Sequence, residues 1–191
     1  VANKVMKNVK GQKKAKVVNV THKKFNQAPP KPFDLTSLQI EAHGKIGMTP
    51  KITLQVAQEL YTSGCISYPR TSSQILPPSI GYKKIITKLS KQTGYIKECA
   101  ILLKKQSLSP NNGKKTDPAH PAIYPTGVLP KALNEYETKL YDLIVRRFLA
   151  TFGDIAVRQT MTVKLDCNTE IFIAKGTLTV EKGWHILYGK H

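Results

Sequence analysis

Acidic residues are scarce in this chain. Twelve Asp and Glu stand against 30 Lys and Arg in 191 residues, a formal charge of +18 at pH 7. Nine lysines precede the first acid, Asp34, and neither Asp nor Glu occurs between Tyr61 and Lys97. Such an excess predicts a polyanionic partner: DNA, RNA or an acidic membrane surface. Long apolar runs are also missing. None approaches the roughly 18–20 residues that span a bilayer, and the start, VANKVMKNVKGQKKAK, lacks the apolar stretch of a signal peptide. The chain does not begin with Met, so an excised piece of something longer is expected. The three cysteines, Cys65, Cys99 and Cys167, are odd in number and widely spaced, which gives neither a disulfide framework nor a zinc pattern. They read as idle or buried thiols in a reducing cytosol. There is no internal repeat, and no low-complexity tract beyond the lysine-rich start.

What is present supports a folded core, since 40% of the residues are apolar. Residues 1–15 read as a short basic helix or arm and KVVNVT (16–21) as a strand, before the prolines of QAPPKPF break regular structure. Asp34 is placed to cap a helix through LTSLQIEAH that stops at Gly44. TPKITLQVAQELYTSG has Thr49 as N-cap, Pro50 in the first turn and Gly64 just past the end. Within it Ile52, Val56, Leu60 and Tyr61 recur at helical spacing and are expected to face the core. CISYP is a short extended segment, because Pro69 biases Tyr68 away from the helical region. SIGYKKIITKLSKQ predicts an amphipathic basic helix, and SLSPNNGKKTDPAHPAIYPTG a long polar loop of the kind that often carries function. Asn134 and Glu137 have capping-box spacing ahead of a helix that Gly153 closes. After Asp154, AVRQTMTVKL, EIFIAKGTLTV and WHILYG read as strands. The fold class is α+β multidomain: a helical domain, residues 34–153, inserted into a β-rich one made of residues 1–33 and 154–191.

The segment ISYPRTSS (66–73) lies inside the acid-free zone and carries the chemistry. A tyrosine hydroxyl can attack a phosphodiester, but a phenol that titrates near 10 needs assistance. An adjacent guanidinium supplies it, by holding the phosphate and neutralising charge that builds on the non-bridging oxygens. Tyr68 and Arg70 are two apart, so on an extended backbone they project to the same side. Ser67, Thr71, Ser72 and Ser73 add donors for neighbouring backbone oxygens. Against this stands the plain alternative that Tyr68, one of eight tyrosines, packs in a core or interface.

GCISYPRTSSQILPPSIGY resembles the active-site stretch of type IA DNA topoisomerases, in the form found in archaeal topoisomerase I and the topoisomerase III group. PPKPFDLTSLQIEA, TPKITLQVAQELYTSG and DPAHPAIYPTG resemble three further stretches of that family in the same order, so the resemblance covers most of residues 28–127. It implies Tyr68 as nucleophile, leaving a 5′-phosphotyrosyl link and a free 3′-hydroxyl. It implies Arg70 as the group that positions and polarises the scissile phosphate, and His120 beside that phosphate or the adjoining strand. Gln58 stands where the family often has a glutamine facing the site, and Ser67 where a hydroxyl residue precedes the tyrosine. The resemblance further implies a winged-helix-like tyrosine domain and a β-rich arch around a DNA-sized hole, with residues 1–33 and 154–191 as parts of that arch.

Two positions depart from the family pattern: Thr62 stands where some members have Glu, and Ser72 where many have Asp. Both departures remove a carboxylate from the edge of the site. The DxD pattern by which the family binds Mg²⁺ is absent and the acids are scattered. Mg²⁺ is thus expected in the full-length enzyme, on a domain outside this chain, with no metal in this piece and little cleavage by it alone. The expected whole is a monomeric, cytoplasmic, nucleoid-associated isomerase. It would relax supercoiled DNA without ATP, acting on DNA that is single-stranded at the site. Competing readings are the topoisomerase part of a reverse gyrase and a non-catalytic single-stranded nucleic-acid-binding module. A basic membrane-surface protein is a weaker third, since the lysines do not gather on one amphipathic helix.

Overall fold

The computed structural model describes residues 1–189, which form two units. The first comprises Val1–Gln27 and Ala156–Lys182, the second Ala28–Ile155 and the residues from Gly183 onward.

In the first unit, helix α1 (Ala2–Val9) precedes strand β1 (Lys16–Gln27), and β2 (Ala156–Cys167) and β3 (Glu170–Glu181) form a hairpin. The sheet is antiparallel in the order β1-β2-β3, with Val20 opposite Val163 and Thr160 opposite Thr177. The hairpin turns at Asn168 and Thr169, both with positive φ (51° and 70°), the geometry whose twist matches that of paired strands. Asp166 Oδ1 accepts from Thr169 N at 2.9 Å, and Asn168 donates back to the Asn8 carbonyl at 2.7 Å, which ties α1 to the turn. Expected strand 16–21 thus runs six residues further. The sheet buries little of itself: Val17, Val20, Phe172 and Ile173 are all exposed.

In the second unit, α2 (Leu35–Ile46), α3 (Pro50–Thr62) and α6 (Glu135–Ala150) pack around one core, with α4 (Tyr82–Leu89) beside α5 (Ile96–Leu103) and α7 (His185–Tyr188) against α6. Leu38, Ala42, Val56, Leu60, Leu140, Leu143, Ile144 and Phe148 are buried. A fully buried side chain of this size contributes roughly 1.5–3 kcal/mol. Caps set the helix starts. Asp34 and Ser37 form a capping box on α2, Thr49 caps α3 above Pro50, and Asn134 and Glu137 box α6. Each such cap is worth about 1 kcal/mol.

Four sequence expectations are corrected. Helix α2 passes through Gly44 and stops at Gly47, whose φ of 71° is left-handed. Pro50 keeps Thr49 extended, so the break falls immediately before that cap. The buried face of α3 is Thr53, Val56, Ala57 and Leu60, while Ile52 and Tyr61 are 36% and 41% exposed. WHILYG is helical, not a strand. Trp184 N donates to the Asp154 carbonyl, and Trp184 packs so tightly on Gly153 that a Cβ there would lie 2.5 Å from its Cβ. The segment from Gly183 accordingly lies with the helices rather than returning to the sheet. Residues 190 and 191 lie outside the described residues.

Candidate active site

The chain around Tyr68 is extended, and its environment alternates with period two. Pro69, Thr71 and Ser73 are buried, Arg70 and Ser72 are exposed, and Tyr68 is half-buried. Side chains on an extended segment point alternately to opposite faces. Tyr68, Arg70 and Ser72 therefore share the open side. Among the described residues neither the Tyr68 hydroxyl nor the Arg70 guanidinium has a hydrogen-bond or ionic partner in the protein.

The long loop after α5 is laced onto this segment. Ser67 N donates to the Tyr124 carbonyl and Thr126 N to the Cys65 carbonyl, with an isolated antiparallel bridge between Ile66 and Pro125. Further along, Ala122 N meets the Ile75 carbonyl, Gln74 N the Lys115 carbonyl and Gly113 N the Gln74 carbonyl. The lacing places His120 against Tyr68, with ring centroids 4.6 Å apart and planes at 48°. The Tyr61 ring also meets Tyr68 nearly edge-on, 5.3 Å away at 71°. The phenol thus packs against both an imidazole and a second phenol.

Asp117 orders the His120 turn. One carboxylate oxygen accepts from Ala119 N and His120 N at 2.9 and 3.1 Å; the other accepts from Ser72 N and Oγ at 3.3 Å. The Ala119 N–H first, then those of Ser72 and His120, hold its carboxyl below the usual range. Asp34, buried at the start of α2, ties the same layers together by accepting from Ser37, Gln74 (3.2 Å) and Lys115 (3.0 Å). Burial pushes its carboxyl up, but the Ser37 bonds and the Lys115 ammonium outweigh that and leave it lowered.

Arg70 lines an open groove of about 650 Å³ along the outer face of α3, with Lys51, Gln55, Gln58, Glu59 and Thr62. Gln58 thus lies in the same groove as Arg70. Thr62 donates its hydroxyl to the Gln58 carbonyl at 2.9 Å. The remaining hydroxyls have other tasks. Ser67 Oγ donates to the Ala122 carbonyl (3.3 Å) and accepts from Tyr124 N (3.0 Å). Thr71 Oγ1 donates to the His120 carbonyl (3.3 Å) and accepts from Ser73 N (3.0 Å), and Ser73 Oγ accepts from Ile75 N (3.1 Å). Expected as free donors to DNA, Ser67, Thr71 and Ser73 are instead spent on the backbone that positions Tyr68 and His120. Parity along the extended segment already puts Thr71 and Ser73 on the inner side.

Sequence reasoning passed over Tyr61 and Asp117. Tyr61 was assigned to the core by its helical spacing. The signal for Asp117 was DPAH itself, since an Asp before Pro accepts readily from backbone two and three residues on. Among the described residues no three His, Cys, Asp or Glu side chains are grouped to hold a metal ion, so the residues present do not fit Mg²⁺. No described helix is long and apolar enough to cross a membrane.

The fold is that of a topoisomerase I. Full-length topoisomerase I from Thermotoga maritima superposes with a TM-score of 0.64 over 98% of this chain and 32% of its own length, at 24% identity. The whole of residues 1–191 matches the DNA topoisomerase family, and the chain belongs to that family, in its type IA branch. DNA topoisomerase 1 of Pyrococcus horikoshii is 48% identical over 92% of this chain, that of Methanocaldococcus jannaschii 43% over 98%, and human DNA topoisomerase 3-alpha 33% over 91%. The chain spans only 26%, 25% and 17% of those proteins.

Proposed function

We propose that this chain carries the nucleophile of a type IA DNA topoisomerase. In the proposed reaction the Tyr68 oxygen attacks the phosphorus of a DNA strand. An O–P bond forms to the phenol, the bond from phosphorus to the 3′-oxygen breaks, the phenolic proton is lost, and the 3′-oxygen takes up a proton. Religation is the reverse. The phosphotyrosyl ester conserves the energy of the broken bond, so relaxation of supercoiled DNA needs no ATP. Arg70 holds the non-bridging oxygens and offsets the charge that builds on them. His120, against the Tyr68 ring, donates a hydrogen bond to the same phosphate or exchanges a proton with it.

One observation carries this reading. Tyr68 and Arg70 face the open side of one extended segment, and among the described residues the hydroxyl and the guanidinium have no hydrogen-bond or ionic partner. A packed core tyrosine would hide its hydroxyl or satisfy it within the protein. The strand is gripped chiefly through its phosphates, and a requirement of the whole enzyme for Mg²⁺ is assigned to acidic residues outside this chain. The test is denaturant-quenched trapping of labelled single-stranded DNA by the full enzyme. Wild type forms a protein–DNA adduct and Tyr68→Phe forms none; an equal adduct from Tyr68→Phe overturns the assignment.

A further inference from the structure

We infer that Tyr61 is a stacking platform for a nucleobase of the strand held at Tyr68, an inference that rests on the proposed role of Tyr68. Tyr61 lies on the last turn of α3, on the helix whose outer face lines the Arg70 groove. It is 41% exposed, although its spacing in the helix would suit a core position. Its ring packs nearly perpendicular to that of Tyr68, at 5.3 Å. Its hydroxyl has no partner among the described residues. An aromatic ring steadied by a neighbour and partly open to solvent is what base stacking requires.

Proximity selects the occupant. The Tyr61 ring lies 5.3 Å from the Tyr68 ring, centroid to centroid, so the base it meets belongs to a nucleotide flanking the phosphate held at Tyr68. A paired base in a duplex has its faces covered by its neighbours, so only an unpaired base can lie on Tyr61. The ring therefore favours single-stranded over double-stranded DNA at the cleavage position. It is tolerant of sequence, since every base offers a π-face.

The test uses the 191-residue chain at low salt with single-stranded oligonucleotides carrying 2-aminopurine at successive positions. Wild type should quench the probe at one position. Tyr61→Leu should lose that quench and bind roughly five- to a hundredfold more weakly, whereas Tyr61→Phe should keep both. On an oligonucleotide that is abasic at the quenched position, wild type and Tyr61→Leu should bind alike. The inference is overturned if Tyr61→Leu keeps the quench, or if its deficit persists on the abasic strand, which would place the effect in the fold. If wild type binds but quenches at no position, the inference alone falls. If wild type binds no oligonucleotide, the DNA-binding reading fails and takes the inference with it.

Discussion

The imidazole of His120 lies against the phenol of Tyr68, 52 residues later in the chain, with ring centroids 4.6 Å apart. A group that shares the phosphate or its proton should matter to rate more than to binding. General acid–base contributions run to roughly 10²–10⁴. His120→Ala in the full enzyme is therefore expected to slow adduct formation about a hundredfold or more while single-stranded DNA binding changes little. Rapid-quench adduct kinetics beside an anisotropy titration separate the two; equal losses in both would reduce His120 to a binding contact.

Asp117 is the group that holds His120 there. Its carboxyl is depressed by the backbone N–H groups of Ala119, Ser72 and His120, against an unfolded value of about 3.9. For a depressed acid, the contribution to order is present in full above the unfolded value and fades as pH falls through the folded one. The 116–121 turn should thus be ordered at neutral pH and loosen below about pH 4. The amide resonances of Ala119 and His120 report this directly. Asp117→Ala should show the loosened turn at pH 7, and an unchanged spectrum would contradict the assignment.

Asp34 has a different task, though it too is lowered. It is buried, caps α2 and accepts from Gln74 and Lys115. Asp34→Ala removes a cap and takes the acceptor from the half-buried Ser37 and Gln74 donors and from the exposed Lys115, with an expected cost of about 1–3 kcal/mol. Urea unfolding measures it. A loss under about 0.5 kcal/mol, the range of ordinary surface changes, would mean that the two polar neighbours re-pair with solvent.

Lysines 83, 84, 88 and 91 are exposed on and just after α4, and none is ion-paired among the described residues. They lie in the stretch without acids. If they touch a single strand, each should add about 0.7 to the slope of log affinity against log salt. Lys84→Gln with Lys88→Gln should then flatten the slope by roughly 1.4. An unaltered slope would move the phosphate contacts to another face.

Much of this architecture is legible in the chain because caps are local. Asp34, Thr49 with Pro50, and the Asn134–Glu137 pair each announce a helix from within four residues. The extended course of Tyr68 follows from Pro69, and the shared side of Tyr68 and Arg70 from period two. What was missed depends on partners distant in sequence. Tyr61 has the spacing of a core residue, but the core closes with Thr53 and Ala57 on the inner face instead. Helix α5 carries only Cys99 and Leu102 as buried residues in eight, too faint a stripe to read. The role of Thr71 depends on the His120 loop, 49 residues downstream, which no local pattern announces.

The turn from strand to helix at WHILYG was decided by packing. Its apolar residues suit a strand, yet Trp184 lies on Gly153, where an added Cβ would sit 2.5 Å from the Trp184 Cβ and 2.7 Å from its Cα. The Cα belongs to the backbone and cannot swing aside as a side-chain end can. Gly153→Ala must therefore push α7 off α6 or strain the turn, with an expected loss of about 1–3 kcal/mol. Trp184 is the chain's one tryptophan, and it is buried, so its fluorescence reports the contact without a label. Gly153→Ala should shift that emission to the red as water reaches the indole, and should lower the Tm. An unshifted emission with unchanged Tm would mean that α7 does not depend on this approach.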